Sequence, residues 1–252
     1  MIITVTANPA VDRVYRIDKF SMGEVHRPDK ITVSAGGKGI NVARVAKTLD
    51  AQVLALGFIG GHTGEYIEKC VKELGIECDF TKIKGITRTN VNITDRNGKS
   101  GEILETGPEI LCREKEAFFN SFKKAIEKEC IVVVSGSLPK GLDSSFYCEM
   151  IQLCHKKSRK IIVDTSGSTL VDIMKQKPFM VKPNKDELCF IFGKNIQSDD
   201  DIKSCLLEMK DMGVDVPFAT MGKDGAMALI DSRFIKYSIP NTFIVLECYF
   251  YS

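Results

Sequence analysis

The residues best placed to do chemistry fall in short polar clusters. Ser34-Ala35-Gly36-Gly37-Lys38-Gly39-Ile40-Asn41-Val42-Ala43-Arg44 sets three glycines ahead of a helical pattern in which Val42, Val45, Ala46 and Leu49 recur at i, i+3, i+4 and i+7. Free backbone N–H groups and the positive end of the helix dipole converge there, which suits an anion or a polyol. These glycines do not follow G-x-G-x-x-G, and no G-x-x-x-x-G-K-[ST] occurs, since Gly98-Lys99-Ser100 lacks the earlier glycine. The plainer use of the segment is a tight turn before a surface helix. Asp164-Thr165-Ser166-Gly167 and Val181-Lys182-Pro183-Asn184-Lys185-Asp186-Glu187 close two other strands. Ligands of open α/β sheets collect beyond such carboxyl ends, so both clusters can face one crevice. Asn184 and Glu187 offer oxygens that suit Mg²⁺ held largely through water. They equally fit a helix-capping pair.

Three further clusters carry weaker signals. Thr220-Met221-Gly222-Lys223-Asp224-Gly225-Ala226 ends a strand and reverses into Met227–Ile230, and by itself it is a hairpin turn. Ser135-Gly136-Ser137-Leu138-Pro139 is another strand end turning polar. Thr87-Arg88-Thr89-Asn90 and Asn8-Pro9-Ala10-Val11-Asp12 place an arginine and a carboxylate in β-like text. An arginine can clamp a phosphate and a carboxylate can accept two sugar hydroxyls, although either is ordinarily a solvated surface charge.

The elements that must carry these clusters alternate between strand and helix. After an opening strand at Met1–Thr6, strands are expected at Val53–Gly57, Ile131–Ser135, Lys160–Asp164, Phe179–Lys182 and Val216–Met221. Helices are expected at Thr63–Leu74, Glu114–Lys128, Ser144–Lys157, Ser168–Lys175 and Ser198–Met212. This rhythm predicts an α/β fold with a mostly parallel sheet covered by helices on both faces. Two stretches interrupt it, Val11–Val33 and Thr87–Glu105, which read as strands and turns, with an Asn97-Gly98 hairpin signal between Thr89–Thr94 and Glu102–Thr106. A sheet that small must cover something, so a lid or a dimer surface is expected.

Composition narrows the partners. The 252 residues hold 35 Lys and Arg against 33 Asp and Glu, a net charge of +2, with 44% hydrophobic and 27% charged residues. That mix predicts one globular domain over residues 1–252 and excludes disorder, collagen and coiled coil. It offers no broad basic field for nucleic acid or an anionic membrane, so the ligand should be small. No apolar run reaches the roughly 18 residues that cross a bilayer, and the opening lacks a basic leader, so a cytoplasmic protein is expected. Nine cysteines, without a C-x-x-C pair, are expected mostly as buried small hydrophobes, and three scattered histidines argue against zinc.

Taken in order, Asn8-Pro9-Ala10-x-Asp12, Gly36-Gly37-Lys38-Gly39-x-Asn41-Val42-Ala43, Thr87-Arg88-Thr89-Asn90, Ser135-Gly136-Ser137-Leu138-Pro139-Lys140-Gly141 and Lys182-Pro183-Asn184-x-x-Glu187 resemble the phosphofructokinase B branch of the ribokinase-like sugar kinases. They look like its subgroup acting on phosphorylated ketohexoses, which includes 1-phosphofructokinase and tagatose-6-phosphate kinase. The resemblance runs from Met1 to about Pro240. It implies a three-layer αβα fold with a small β lid, its strands drawn from about residues 11–33 and 87–105. It implies that Asp12, Gly37 and Asn41 bind sugar hydroxyls, while Lys38, Arg88, Asn90 and Ser137 surround the sugar and its phosphate. It places Ser166, Lys182, Asn184, Thr220, Gly222 and Gly225 on the ATP side, with Asn184 and Glu187 organising Mg²⁺. It also implies a homodimer through the lid. The expected reaction is ATP-dependent phosphorylation of fructose 1-phosphate to the 1,6-bisphosphate, with tagatose 6-phosphate as the alternative substrate.

One departure from the resemblance concerns catalysis. Family members carry a Gly-x-Gly-Asp whose aspartate takes the hydroxyl proton and whose backbone N–H groups stabilise the transferring phosphate. No glycine follows Gly225 here, and the sudden Phe, Tyr and Ile content after Asn241 looks like sequence from another reading frame. No catalytic residue is therefore assigned. The expectation is a C-terminally truncated kinase with very weak turnover, or a binder of sugar phosphate or nucleotide that does not turn over.

Overall fold

The computed structural model describes residues 1–239, in two compact units. One holds 4–122 and 138–141, the other 1–3, 123–137 and 142–239, so strand β1 (Ile2–Thr6) has residues in both.

In the first unit the order is β1, β2 (Ala10–Ile17), β3 (Lys30–Gly36), α1 (Lys38–Thr48), β4 (Val53–Ile59), α2 (Gly61–Glu73), β5 (Glu77–Lys82), β6 (Arg88–Asp95), β7 (Ser100–Leu104) and the start of α3 (Cys112–Ala125). Strands β1, β4 and β5 are neighbours in that order, and β4 and β5 run parallel. Ile40, Phe58, Ile59, Ile67, Phe118 and Phe122 are fully buried. Phe118 of α3 packs against Phe58 of β4 with ring centroids 5.0 Å apart. Each such aromatic removed from water stabilises by about 1.5–3 kcal/mol.

The expected small sheet is present, with four strands in the order β3-β2-β6-β7. β2 lies antiparallel to β3 and parallel to β6, and β6 lies antiparallel to β7. The Asn97-Gly98 signal does close the β6–β7 hairpin. Gly98 has φ 78°, and the buried Asp95 carboxylate accepts from the backbone N–H groups of Asn97 and Lys99. Register sets Asp12 opposite Ser34 and Asn90, and Asn90 opposite Leu104, so one transverse row crosses all four strands on one face.

In the second unit β8 (Ile131–Ser135), β9 (Lys160–Asp164), β10 (Met180–Val181) and β11 (Val216–Thr220) are successive parallel neighbours. Next come β12 (Ala226–Ile230) and β13 (Arg233–Tyr237), both antiparallel, while β1 flanks β8. Helices α4 (Ser144–Lys156), α5 (Gly167–Met174), α6 (Lys185–Phe192) and α7 (Asp199–Asp211) connect them. In α7 Ile202, Leu206 and Met209 are buried as their spacing predicts, and Ser198 and Asp201 form a reciprocal cap.

The cysteine expectation needs correction. Of the eight described cysteines only Cys130, Cys154 and Cys205 are buried, four are half-buried and Cys112 is exposed. Cys112 opens α3, where the chain turns outward before the buried stripe begins. Cys248 and the residues after Asn241 lie outside the described residues.

Candidate functional site

In the first unit the small sheet gathers Asp12, Asn90 and, two residues earlier on β6, Arg88. Asn90 Nδ2 donates to Asp12 Oδ1 at 2.8 Å. Gly36, which a sequence reading counts only as one of a run, is the residue beside that carboxylate: a Cβ there would overlap Asp12 Oδ2. Burial raises the Asp12 carboxyl above its ordinary range, against the Asn90 hydrogen bond and the Arg88 charge, which both lower it. Burial likewise lowers Arg88, against Asp12 and Glu105, which favour its charged form.

Arg88 is aimed by backbone. Its Nη1 donates to Glu105 O at 2.8 Å and its Nη2 to Asn8 O at 2.9 Å. Asn8 is only 6% exposed and donates through Nδ2 to Thr106 O at 3.1 Å. Among the described residues, Asn8 Oδ1, Asn90 Oδ1 and Arg88 Nε are buried without a hydrogen-bond partner. Two acceptors and a guanidinium donor left unpaired at one polar cluster are costly unless a polar ligand completes them. Asn8 was not among the expected site residues. Its signal was an Asn ahead of proline, forced extended and so able to present both backbone oxygen and side-chain amide.

Gly37 caps α1 with φ 117°, a conformation open to glycine, and Asn41 N donates to Gly37 O in the first turn. Lys38 is the first residue of the helix and is exposed. Asn41 Oδ1 accepts from Arg44 Nη1 at 3.4 Å, and Arg44 Nη2 donates to Ala35 O at 2.9 Å. Arg44, unassigned from sequence, thus braces the glycine turn from within the helix.

The second unit gathers a different set at the carboxyl ends of β8 to β11. Lys182 Nζ lies 3.3 Å from Asp164 Oδ1, and Ser135 Oγ donates to Asp164 Oδ2 at 3.1 Å. Asp164, quoted from sequence but given no role, is the hub of this group. Its signal was a carboxylate closing a buried strand. Ser137 and Ser166 are exposed after β8 and β9, and Ser166 caps α5 without a side-chain hydrogen bond. Asn184 is bridged to Thr220, and Thr220 N donates to Pro183 O at 3.0 Å. Gly222 sits in an exposed 3₁₀ turn, Gly222–Asp224. Gly225 is needed for close packing, because a Cβ there would overlap the Tyr237 carbonyl of β13.

Asn184 and Glu187 form a complete capping box on α6, the plainer of the two uses their spacing allows. Glu187 N donates to Asn184 Oδ1 at 2.8 Å and Asn184 N to Glu187 Oε2 at 2.9 Å. Among the described residues Glu187 Oε1 accepts no hydrogen bond. Among them, too, no group of three or more His, Cys, Asp or Glu is placed to hold a metal ion. One carboxylate oxygen in the first turn of a helix fits Mg²⁺ that keeps most of its waters, and does not fit a site built of protein ligands alone.

Comparison with known proteins places the chain in a family. A model described as pfkB family carbohydrate kinase matches residues 5–245. A tagatose-6-phosphate kinase of Staphylococcus epidermidis is 36% identical over 248 residues, 97% of this chain and 80% of its own. Phosphofructokinase-2 of Escherichia coli, solved in complex with fructose-6-phosphate, has TM-score 0.89 at 25% identity, covering 96% of this chain and 80% of that one. The same enzyme has been solved in a tetrameric inhibited form. A Thermotoga maritima chain described as a possible 1-phosphofructokinase has TM-score 0.84 at 26% identity over 93% of this chain and 76% of that one. The fold is ribokinase-like α/β with a large, mostly parallel sheet. The family match and the relative each span nearly all of this chain, and the chain belongs to the pfkB family of carbohydrate kinases.

Proposed function

We propose that this kinase transfers the γ-phosphoryl group of ATP to the free primary hydroxyl of a ketohexose phosphate. The hydroxyl oxygen would form a bond to the γ-phosphorus as the bond to the β-phosphate oxygen breaks. The products are a ketohexose bisphosphate, ADP and a proton. The observation that carries this reading is the Asp12–Asn90–Arg88 cluster with its unpaired buried acceptors and donor. A phosphosugar presents the matching groups, hydroxyls for Asp12 and Asn90 and an anion for the guanidinium. Asp12, Gly37 and Asn41 would take sugar hydroxyls, with Lys38, Arg88, Asn90 and Ser137 around the sugar and its phosphate.

On the nucleotide side we assign Ser166, Lys182, Asn184, Thr220, Gly222 and Gly225 to ATP. Asn184 and Glu187 would hold Mg²⁺ through water, and the ion would supply neutralising charge at the phosphates. The 252 residues contain no Gly-x-Gly-Asp, and no residue is assigned to take the hydroxyl proton. We also propose pairing of two copies through the small sheet, whose Ile103 and Leu104 are 63% and 61% exposed. A cytoplasmic setting fits the eight described cysteines, all free. Among the described residues no helix is long and apolar enough to cross a membrane.

Two substrates satisfy the chemistry. Thr87-Arg88-Thr89-Asn90 favours fructose 1-phosphate. Ser137-Leu138-Pro139-Lys140-Gly141 and the 36% identical relative favour tagatose 6-phosphate. Calorimetry and an ADP-release assay with both sugars test the reading. Binding of at least one phosphosugar with sugar-dependent ADP release supports it. Binding without release makes this chain a sugar-phosphate binder, and failure to bind either sugar overturns the assignment.

A further inference from the structure

Glu114 is a charged residue with only 5% of its surface exposed, and it belongs to none of the clusters above. It lies in the first turn of α3, for which Leu111 is the cap: the N–H groups of Glu114 and Lys115 both donate to Leu111 O. Leu111 N donates back to Glu114 Oε2 at 2.8 Å. That contact is half of a capping box, since a leucine supplies no side-chain acceptor in return.

A capping role engages one carboxylate oxygen. The other reaches away from the helix, and Lys84 N, 30 residues earlier, donates to Oε1 at 2.7 Å. Lys84 lies between the end of β5 at Lys82 and the start of β6 at Arg88. Leu111 lies between the end of β7 at Leu104 and α3. One buried carboxylate therefore ties the entry of the β6–β7 hairpin to its exit. Arg88 is the first residue of that hairpin, and its Nη1 donates to Glu105 O, the first residue beyond it. The tied segments, with Lys84, Arg88, Leu104, Glu105 and Leu111, line an open cavity of about 890 Å³.

We propose that Glu114 is a positioning residue for the phosphosugar: by holding both roots of the hairpin it sets where Arg88 and Asn90 stand. The proposal rests on the reading that the Arg88 cluster takes the sugar phosphate. Its rival is a helix cap with no bearing on binding.

Glu114→Gln keeps the side chain's size but retains one acceptor oxygen, so it can serve one of the two N–H groups and not both. Tagatose 6-phosphate, fructose 1-phosphate and a non-hydrolysable ATP analogue would be titrated into the unaltered chain and the variant by calorimetry. Amide hydrogen exchange would be followed in parallel. The expected result is faster exchange at Lys84 or Leu111, a phosphosugar Kd raised roughly 10-fold, as loss of one charge-assisted hydrogen bond implies, and an unchanged nucleotide Kd. Adding Leu111→Ser supplies a side-chain acceptor at the cap, and should recover thermal stability without recovering affinity. Recovery of both would reduce Glu114 to a cap and overturn the proposal. So would an unchanged phosphosugar Kd in Glu114→Gln when the unaltered chain binds. Failure of the unaltered chain to bind any phosphosugar would overturn the substrate reading as well. If the variant does not fold, the unaltered chain still decides: saturating phosphosugar should slow exchange at the Lys84 and Leu111 amides, and no change there would refute the assignment.

Discussion

At the scale of single residues, the proposed recognition of a phosphosugar turns on Arg88 and Asp12. Arg88 spends two donors on the carbonyls of Asn8 and Glu105 and keeps a buried Nε–H unpaired. Arg88→Ala should weaken phosphosugar binding by about 10- to 150-fold, the span of a hydrogen bond to a charged group, and leave nucleotide affinity in place. Titration calorimetry with each ligand reads both. Asp12 carries a different signature, because burial raises its pKa. Between the unfolded value near 3.8 and the raised folded value the native state holds the extra proton, so stability falls as pH rises through that window. Asp12→Asn should therefore melt higher than the unaltered chain at pH 7, with the gain shrinking as pH falls through that window and gone below about pH 4, near the model-compound value, while phosphosugar affinity drops. A variant that melts lower at pH 7 would contradict the burial argument.

At the scale of elements, two substitutions separate position from chemistry. Gly36→Ala places a methyl group in the space of the Asp12 carboxylate, so it should abolish phosphosugar binding although residue 36 is assigned no ligand contact. Asn184→Ala removes half the α6 capping box and should cost about 1 kcal/mol in denaturant unfolding. Strand and helix bodies were legible wherever the pattern was local. β8 and β9 fall at Ile131–Ser135 and Lys160–Asp164 as expected, and the hairpin turn follows from Asn97-Gly98. β5 and β13 were not foreseen. Glu77–Lys82 alternates polar and apolar only over Glu77-Cys78-Asp79-Phe80, a short run without β-branched residues, and Arg233–Tyr237 is an edge strand exposed at every position. Neither is specified by its own residues so much as by the neighbour it pairs with. The site was legible as motifs, because glycines and strand-end polar residues have local causes. What escaped was the network that aims them: Asn8, Arg44, Asp164 and Glu114 act through partners 9 to 98 residues away, which no local pattern encodes.

At the scale of the whole molecule, membership in a carbohydrate-kinase family makes binding and self-association the properties to measure. The exposed Ile103 and Leu104 of the small sheet give the pairing proposal a direct test. Ile103→Asp should shift a dimer towards monomer in analytical ultracentrifugation, since a desolvated carboxylate at such a face is unfavourable. The central claim, that the Asp12–Arg88–Asn90 cluster is built for a phosphorylated ketohexose, is met most directly by one comparison. The chain would be titrated calorimetrically with tagatose 6-phosphate and fructose 1-phosphate, and then with tagatose and fructose. A cluster built for the phosphate predicts measurable affinity for at least one phosphosugar, none comparable for the free sugars, and loss of that difference in Arg88→Ala. Equal affinity for phosphorylated and free sugars, or a difference that survives Arg88→Ala, would contradict it.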